Sequence, residues 1–186
     1  MTQIKVNIDQ AKGTIKVWNN GMGIPVVIHQ KEKVYVPELI FGHLLTSSNY
    51  DDAQKKVTGG RNGFGAKLAN IFSKKFEVEC ADTKHRKLFK KTFKNNMTQI
   101  LDSRITEYPA ESYDYTSIFF EPDLKKFGMK SIDDDIFSLF KKRVYDLAGC
   151  SPKSISVYLN GKKLSKIKSF EDYIDLYFSK AGGEST

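Results

Sequence analysis

The sequence predicts an α+β layer sandwich, and three observations carry the prediction. Apolar and polar residues alternate through Ile4 to Ile8 and Thr14 to Trp18, the period of half-buried strands, and Phe76 to Cys80, Leu88 to Phe93, Ser117 to Phe120 and Ser156 to Asn160 also read as strands between polar connections. Four other segments carry apolar residues at helical spacing. No linker, internal repeat or low-complexity stretch divides residues 1–186, so a single domain with one layered core is the economical arrangement.

Taken in order, Ile4-Lys5-Val6-Asn7-Ile8 and Thr14 to Trp18 flank the turn residues Asp9 to Gly13 and predict a β-hairpin, which leaves through the turn-rich Asn19-Asn20-Gly21-Met22-Gly23-Ile24-Pro25. In "PELIFGHLL", Leu39, Ile40, Phe41, Leu44 and Leu45 lie at helical spacing, with Pro37 suited to the first position. After the polar stretch Thr46 to Gly60, a second helix is expected from Gly63 to Phe72, with Phe64, Leu68, Ile71 and Phe72 as its inward stripe. The next three strands, Phe76 to Cys80, Leu88 to Phe93 and Ser117 to Phe120, are expected to form a meander. From Asp133 to Ala148, three aspartates load a helix N-terminus, Ile136, Leu139, Phe140, Val144 and Leu147 face inward, and Gly149 is read as the stop. A strand closed by Asn160-Gly161 and an amphipathic helix from Phe170 to Phe178 complete the pattern.

Composition bounds the function. The 186 residues are 40% hydrophobic and carry a net charge of +8, which suits an anionic partner such as a nucleotide or nucleic acid. No apolar run reaches the length of a membrane span, and Met1-Thr2-Gln3-Ile4-Lys5 begins an alternating pattern instead of a signal peptide, so a soluble intracellular protein is expected. Cys80 and Cys150 stand apart with no Cys-x-x-Cys spacing, so both are read as buried thiols and no zinc site is indicated.

The densest chemical signal is "KKVTGGRNGFGAKLANIF", which sets Gly59, Gly60, Gly63 and Gly65 directly before a helix. A helix N-terminus presents unpaired N–H groups and a positive dipole end, and glycine lets backbone approach an anion closely. The segment therefore reads as a phosphate cradle, with a glycine-hinged surface loop as the other reading. It is not a P-loop, since Lys67 falls one place late and the metal-binding hydroxyl is absent. Nor is it a dinucleotide fingerprint, because Leu68 occupies the third glycine position.

The order of three motifs is more specific: "NNGMGIP" from Asn19, "VPELIFGHLLTSSNYDD" from Val36 and "KVTGGRNGFGAKLANIF" from Lys56, followed by "DIFSLFKKRVYDLAG" from Asp135. Together they closely resemble the N-terminal ATPase region of eukaryotic type II DNA topoisomerases, along essentially the whole chain. The resemblance implies the GHKL-superfamily fold, a two-layer sandwich whose mixed sheet is covered on one face by helices, shared with gyrase, heat-shock chaperones, histidine kinases and mismatch-repair ATPases. It implies ATP and Mg2+ as cofactors, DNA as partner and a homodimer in the full enzyme, no membrane association, and a nuclear location.

By the same resemblance, Asn19 stands where the superfamily carries an aspartate that accepts a hydrogen bond from the adenine amino group. An amide oxygen can accept the same bond without burying a charge. Gly21 and Gly23 would let the base lie against the backbone. Ser47, Ser48 and Asn49 match the segment that reaches ribose and phosphates, although such residues also form plain polar turns. Gly60, Arg61, Asn62, Gly63, Phe64, Gly65, Ala66 and Lys67 match the loop that wraps the triphosphate, with Lys67 expected as a structural or outer contact. Thr46 to Gly60 resembles a nucleotide lid. The family's general-base glutamate, and its magnesium-ligating asparagine four residues later, sit on a helix that precedes the hairpin and are expected before Met1. No Glu-x-x-x-Asn occurs in this sequence, so no catalytic or metal-ligating residue is assigned between Met1 and Thr186. The expectation is a partial GHKL domain, truncated at its N-terminus, that binds nucleotide without hydrolysing it at a family-like rate. A catalytically inactive nucleotide-binding or interaction module of the same fold is the alternative.

Three basic clusters complete the reading: Lys84 to Lys94, Lys141-Lys142-Arg143, and Lys162 to Lys168. Each is either a phosphate-guiding surface or a solvated face. The aromatic residues interleaved with them, at strand period, are expected in the core.

Overall fold

The computed structural model describes residues 1–43 and 63–178. Strands β1 (Gln3–Asp9) and β2 (Thr14–Asn20) form the expected hairpin, with Val6 opposite Val17 and Gly13 at φ 64° in the turn. Helices α1 (Val36–Gly42) and α2 (Phe64–Ile71) precede β3 (Ser73–Asp82) and β4 (Lys87–Lys94). The short β5 (Gln99–Ile100) and β6 (Arg104–Glu107), then β7 (Tyr115–Pro122), lead into α3 (Asp134–Cys150), β8 (Ser156–Leu159), β9 (Lys162–Lys163) and α4 (Phe170–Phe178).

Among the described residues the strands form one mixed sheet in the order β5-β4-β3-β7-β2-β1-β8-β9, with β6 also on β4. The central strands are not a meander. β7 passes β4 and inserts between β3 and β2, antiparallel to both, because β5 and β6 already occupy the far side of β4. On the other flank β8 adds to β1 in parallel, with Val157 beside Ile4.

Alternation sorts the sheet into two faces. Ile4, Val6, Ile8, Ile15 and Val157 pack against Val144 and Ala148 of α3. Phe76, Val78, Cys80, Phe89 and Phe93 continue that face as a second cluster with Val26, Phe41 of α1 and Ala69 of α2. Phe120 touches both clusters and joins them. The burial of Phe89 and Phe93 bears out the core reading of the aromatics that alternate with the first lysine cluster.

Several local readings change. In α2 the buried residues are Lys67 and Asn70, whereas Phe64 and Leu68 are 37% and 47% exposed. The polar pair faces inward because each finds a backbone acceptor: Asn70 Nδ2 donates to Phe41 O at 3.1 Å and Lys67 Nζ to Gly63 O at 2.9 Å. In α3, Asp133 caps the N-terminus by accepting from Ile136 N at 2.9 Å, but Gly149 does not stop the helix. It lies within the last turn, where an added Cβ would sit 2.6 Å from Tyr173 Cγ, so its role is to admit α4. Leu139 and Leu147, expected inside, are exposed, and so is Cys150 at the helix end, while Cys80 is fully buried as expected.

Candidate functional site

The described candidate residues fall at two element ends on the helix-bearing face. Asn19 follows Ile15 and Val17 along one side of β2 and is half-buried. Its side chain makes no hydrogen bond among the described residues, in contrast to Asn20 on the opposite face. The Asn20 Oδ1 accepts from Thr2 N at 3.0 Å and from Gln3 N at 2.7 Å, and its amide donates to Thr2 Oγ1. Asn20 thus holds the segment from Met1 to Gln3, while no described residue bonds the Asn19 amide.

Register places Thr116 of β7 opposite Asn19, and Cys80 of β3 opposite Thr116. Thr116 was not among the residues singled out from sequence. Its hydroxyl lies on the same face as the Asn19 amide and hydrogen-bonds the Cys80 thiol. Burial of Cys80, opposed by that hydrogen bond, pushes its thiol up to about 12, so it is inert at neutral pH.

Gly21 and Gly23 serve the backbone itself. Gly21 adopts φ 143° and its N–H donates to Asp114 O at 3.3 Å. A Cβ there would lie 2.9 Å from Met1 Cβ, so Met1, itself 54% exposed, packs directly over the glycine turn beside Asn19. A Cβ on Gly23 would meet Ala81 O at 2.9 Å and Asp114 Cβ at 3.2 Å, so only glycine lets the exit from β2 pass this closely over the end of β3. The exit is then pinned by Asp82, whose buried carboxylate accepts from Val26 N at 2.6 Å. The same carboxylate accepts from His85 N at 3.0 Å, and its Oδ2 lies 2.6 Å from His85 Nδ1. Burial alone would raise the Asp82 pKa, but these hydrogen bonds and the neighbouring His85 outweigh it and hold the carboxyl below its ordinary value.

The second group begins α2. Gly63 is the N-cap in the left-handed region (φ 66°, ψ 17°) and supplies no side-chain cap, so among the described residues the first-turn N–H groups of Phe64, Gly65 and Ala66 have no side-chain acceptor. Phe64, Gly65 and Ala66 are exposed, and a Cβ on Gly65 would meet nothing within 4 Å. Lys67 is not free to act as a P-loop lysine: its ammonium folds back onto the Gly63 carbonyl, and desolvation lowers its pKa. α2 runs into β3 with only Phe72 between them and packs against α1, β3 and β7. No hydrogen bond or ion pair joins the two groups among the described residues. Ser47, Ser48, Asn49, Gly60, Arg61, Asn62 and the lid stretch lie outside those residues.

A cavity of about 750 Å³ among the described residues is distinct from these positions. It is an apolar groove between α2 and α3 over β1 and β2, lined by Val17, Leu68, Phe72, Phe140 and Leu147 among others. Of the basic clusters, the first two are largely spent on ion pairs: Arg86 with Glu107, Lys90 with Glu79, buried Lys91 with Glu38, and Lys142 and Arg143 with Asp146. Lys162, Lys163, Lys166 and Lys168 have no ion pair among the described residues.

No family model matches the chain. A probable DNA topoisomerase 2 of Dictyostelium discoideum is 59% identical over 178 residues, covering 96% of this chain and 12% of that protein. The solved ATPase region of Saccharomyces cerevisiae topoisomerase II superposes with a TM-score of 0.91 at 50% identity, covering 97% of this chain and 47% of that structure. The 43K ATPase domain of Thermus thermophilus gyrase B superposes with a TM-score of 0.67 at 21% identity over 99% of this chain and 44% of that one, a likeness of fold. The chain therefore spans about an eighth of the length of its curated relative and about half of the solved ATPase region. With more than half of its residues identical to such a relative and its backbone following a solved ATPase region, the chain belongs to the eukaryotic type II DNA topoisomerases, matched in their ATPase region.

Proposed function

We propose that the chain is the ATP-binding part of an ATP-hydrolysing type II DNA topoisomerase, which alters DNA topology by passing one duplex through a transient break in another. The observation that carries this reading is the pairing of donor and acceptor types on one face: an α2 N-terminus without a side-chain cap, exposed at Gly65, and an Asn19 amide with no protein partner among the described residues. The N–H groups of Phe64, Gly65 and Ala66 suit phosphate oxygens, with backbone from Gly60 to Asn62 completing the cradle. The Asn19 Oδ1 suits the exocyclic amine of adenine, with the Thr116 hydroxyl beside it. Ser47, Ser48 and Asn49 would reach the ribose and phosphates, and Gly21 and Gly23 shape the floor under the base. Lys67 acts by holding the carbonyl of Gly63 and so the cradle's left-handed entry.

ATP fits this donor set. Mg2+ would be held chiefly by phosphate oxygens, since the described residues contain no group of three His, Cys, Asp or Glu side chains suited to a metal ion. Mg2+ neutralises phosphate charge when bound, and this chain's residues bind and orient the nucleotide. No Glu-x-x-x-Asn occurs from Met1 to Thr186, so the contribution of these residues is binding, without water activation. In the full enzyme the unit would lie within one GHKL domain, work as a homodimer on DNA and reside in the nucleus.

Calorimetric titration of the chain with a non-hydrolysable ATP analogue tests the reading. Gly65→Val places a branched side chain in the cradle, its Cβ more than 4 Å from any described neighbour, and is expected to abolish binding. Asn19→Ala is expected to cost about threefold to tenfold in Kd, the worth of one hydrogen bond. Undiminished affinity in Gly65→Val would refute the cradle assignment.

A further inference from the structure

On the face of the sheet turned away from the helices, the β1, β2, β7 and β8 register lays lysines and aromatic rings side by side. Across neighbouring strands Tyr158 stands beside Lys5, and Lys5 beside Trp18. Lys163 of β9 extends the row on the far side of Tyr158. No described helix covers these residues. The Lys5 ammonium lies 4.4 Å from the Trp18 ring centroid and 5.9 Å from that of Tyr158. Tyr113, 59% exposed, meets Trp18 edge-on at 6.1 Å, and Tyr115 lies tilted against Trp18 at 6.0 Å.

The charge on this side is compensated only in part: Lys75 pairs with Glu77, and Lys16 is drawn electrostatically to Glu79. Glu79, the nearest acid of the row, is engaged by Lys90 and by the Tyr115 hydroxyl. Lys5 and Lys163 have no carboxylate partner among the described residues, and Lys16, exposed on the same face of β2, forms no ion pair there. A core role does not explain rings in this position, since the core lies on the other face.

We infer that this helix-free face, built on Trp18, Tyr113 and Tyr158 with Lys5, Lys16 and Lys163, is a docking surface for single-stranded nucleic acid. Flat rings at the surface of a sheet offer stacking platforms to unpaired bases, and lysines set between them meet the phosphates that connect those bases. Strand spacing puts Tyr158 and Trp18 about 10 Å apart, with Lys5 between them. The Lys5 side chain now resting on Trp18 would exchange the ring for a phosphate as a base takes its place. A duplex hides its base faces from such a surface, and an acidic peptide would use the lysines and leave the rings idle. The inference is independent of the ATP reading, which concerns the opposite face.

Trp18 is the only tryptophan in the chain, so its emission reports on this surface alone. Titration with a 15-nucleotide oligothymidylate at low ionic strength is expected to quench it saturably. The logarithm of the affinity should fall with log salt at a slope of about −2, as for three phosphate contacts. Tyr113→Ala, at an exposed position, and Lys5→Glu should each weaken binding about tenfold. Lys126→Glu, exposed and outside the sheet, should weaken it by less than about twofold. Absence of quenching would overturn the inference. So would equal quenching by heparin, by polyglutamate or by a duplex of the same length, undiminished affinity in Tyr113→Ala, or an equal loss in Lys126→Glu. Saturating ATP analogue should leave the titration unchanged, so failure of either reading is visible apart from the other.

Discussion

Removing the Asp82 carboxylate tests how the exit from β2 is held. In Asp82→Ala, Val26 N–H loses its acceptor while the residue stays fully buried, and both His85 contacts vanish. An orphaned buried donor costs about 1–3 kcal/mol, and the lost His85 bonds add about 1 kcal/mol, for a total near 3 kcal/mol. For a chain of this size that is a fall in Tm of about 6–12 °C. Differential scanning calorimetry or urea unfolding reads it directly. The pH dependence provides a second, sharper readout. The folded-state pKa of Asp82 lies below its ordinary value of 3.8, so its contribution is fully present above that value and is lost as pH falls through the folded pKa. The stability gap between wild type and Asp82→Ala should therefore be constant near neutrality and narrow in acid. A loss under about 1 kcal/mol would refute the assignment of Asp82 as the anchor of this segment. A gap that does not change with acid would refute the carboxylate's role in it.

Two further outcomes follow from packing. Gly149→Val drives a side chain into Tyr173, whose ring carbons lie 2.6 and 3.0 Å from the added Cβ, and should destabilise by about 2–3 kcal/mol while near-ultraviolet dichroism of the α4 tyrosines is lost; unchanged spectra would contradict the close approach. With a thiol-specific chromogenic disulfide, Cys150 should react at once and Cys80 only after unfolding, because Cys150 is exposed and burial pushes the Cys80 thiol up to about 12; two equivalents reacting rapidly in the folded protein would be inconsistent with the buried position of Cys80.

What could be read from the sequence was what local period encodes. The hairpin, the helix from Phe170 and the acidic helix start at Asp133 needed only neighbours along the chain, and each lies where its pattern placed it. The insertion of β7 between β3 and β2 is a choice between distant edges, to which alternation is blind. The inverted face of α2 depended on two backbone carbonyls, of Phe41 and Gly63, that accept from Asn70 and Lys67; apolar counting assigns such residues to solvent. Gly149 carries the composition of a helix stop but answers to a ring from another helix. At the candidate site, Asn19 and the glycines could be singled out by motif order. The crossing of Met1 over Gly21 could not, since it depends on the Asn20 side chain holding Thr2 and Gln3. Thr116 was equally hidden, because its place beside Asn19 exists only through strand pairing. The aromatic row escaped for the same reason: Tyr158, Lys5 and Trp18 are far apart in sequence and adjacent only across three strands.

The parallel pairing of β1 with β8 sets a schedule for synthesis. Asn160 donates its amide to Ile8 O at 3.1 Å and accepts from Ile8 N at 2.7 Å, so β1 leaves the ribosome 152 residues ahead of the turn that completes it. At ordinary elongation rates the β1 edge waits roughly 8–30 s for β8 to emerge. Until then the hairpin has an open flank, and for most of that wait, before α3 is made, Ile4, Val6 and Ile8 have no helix to bury them. Nascent chains of this fold are therefore exposed to edge pairing with one another during translation, and an early pause before β8 is synthesised would lengthen that exposure in direct proportion.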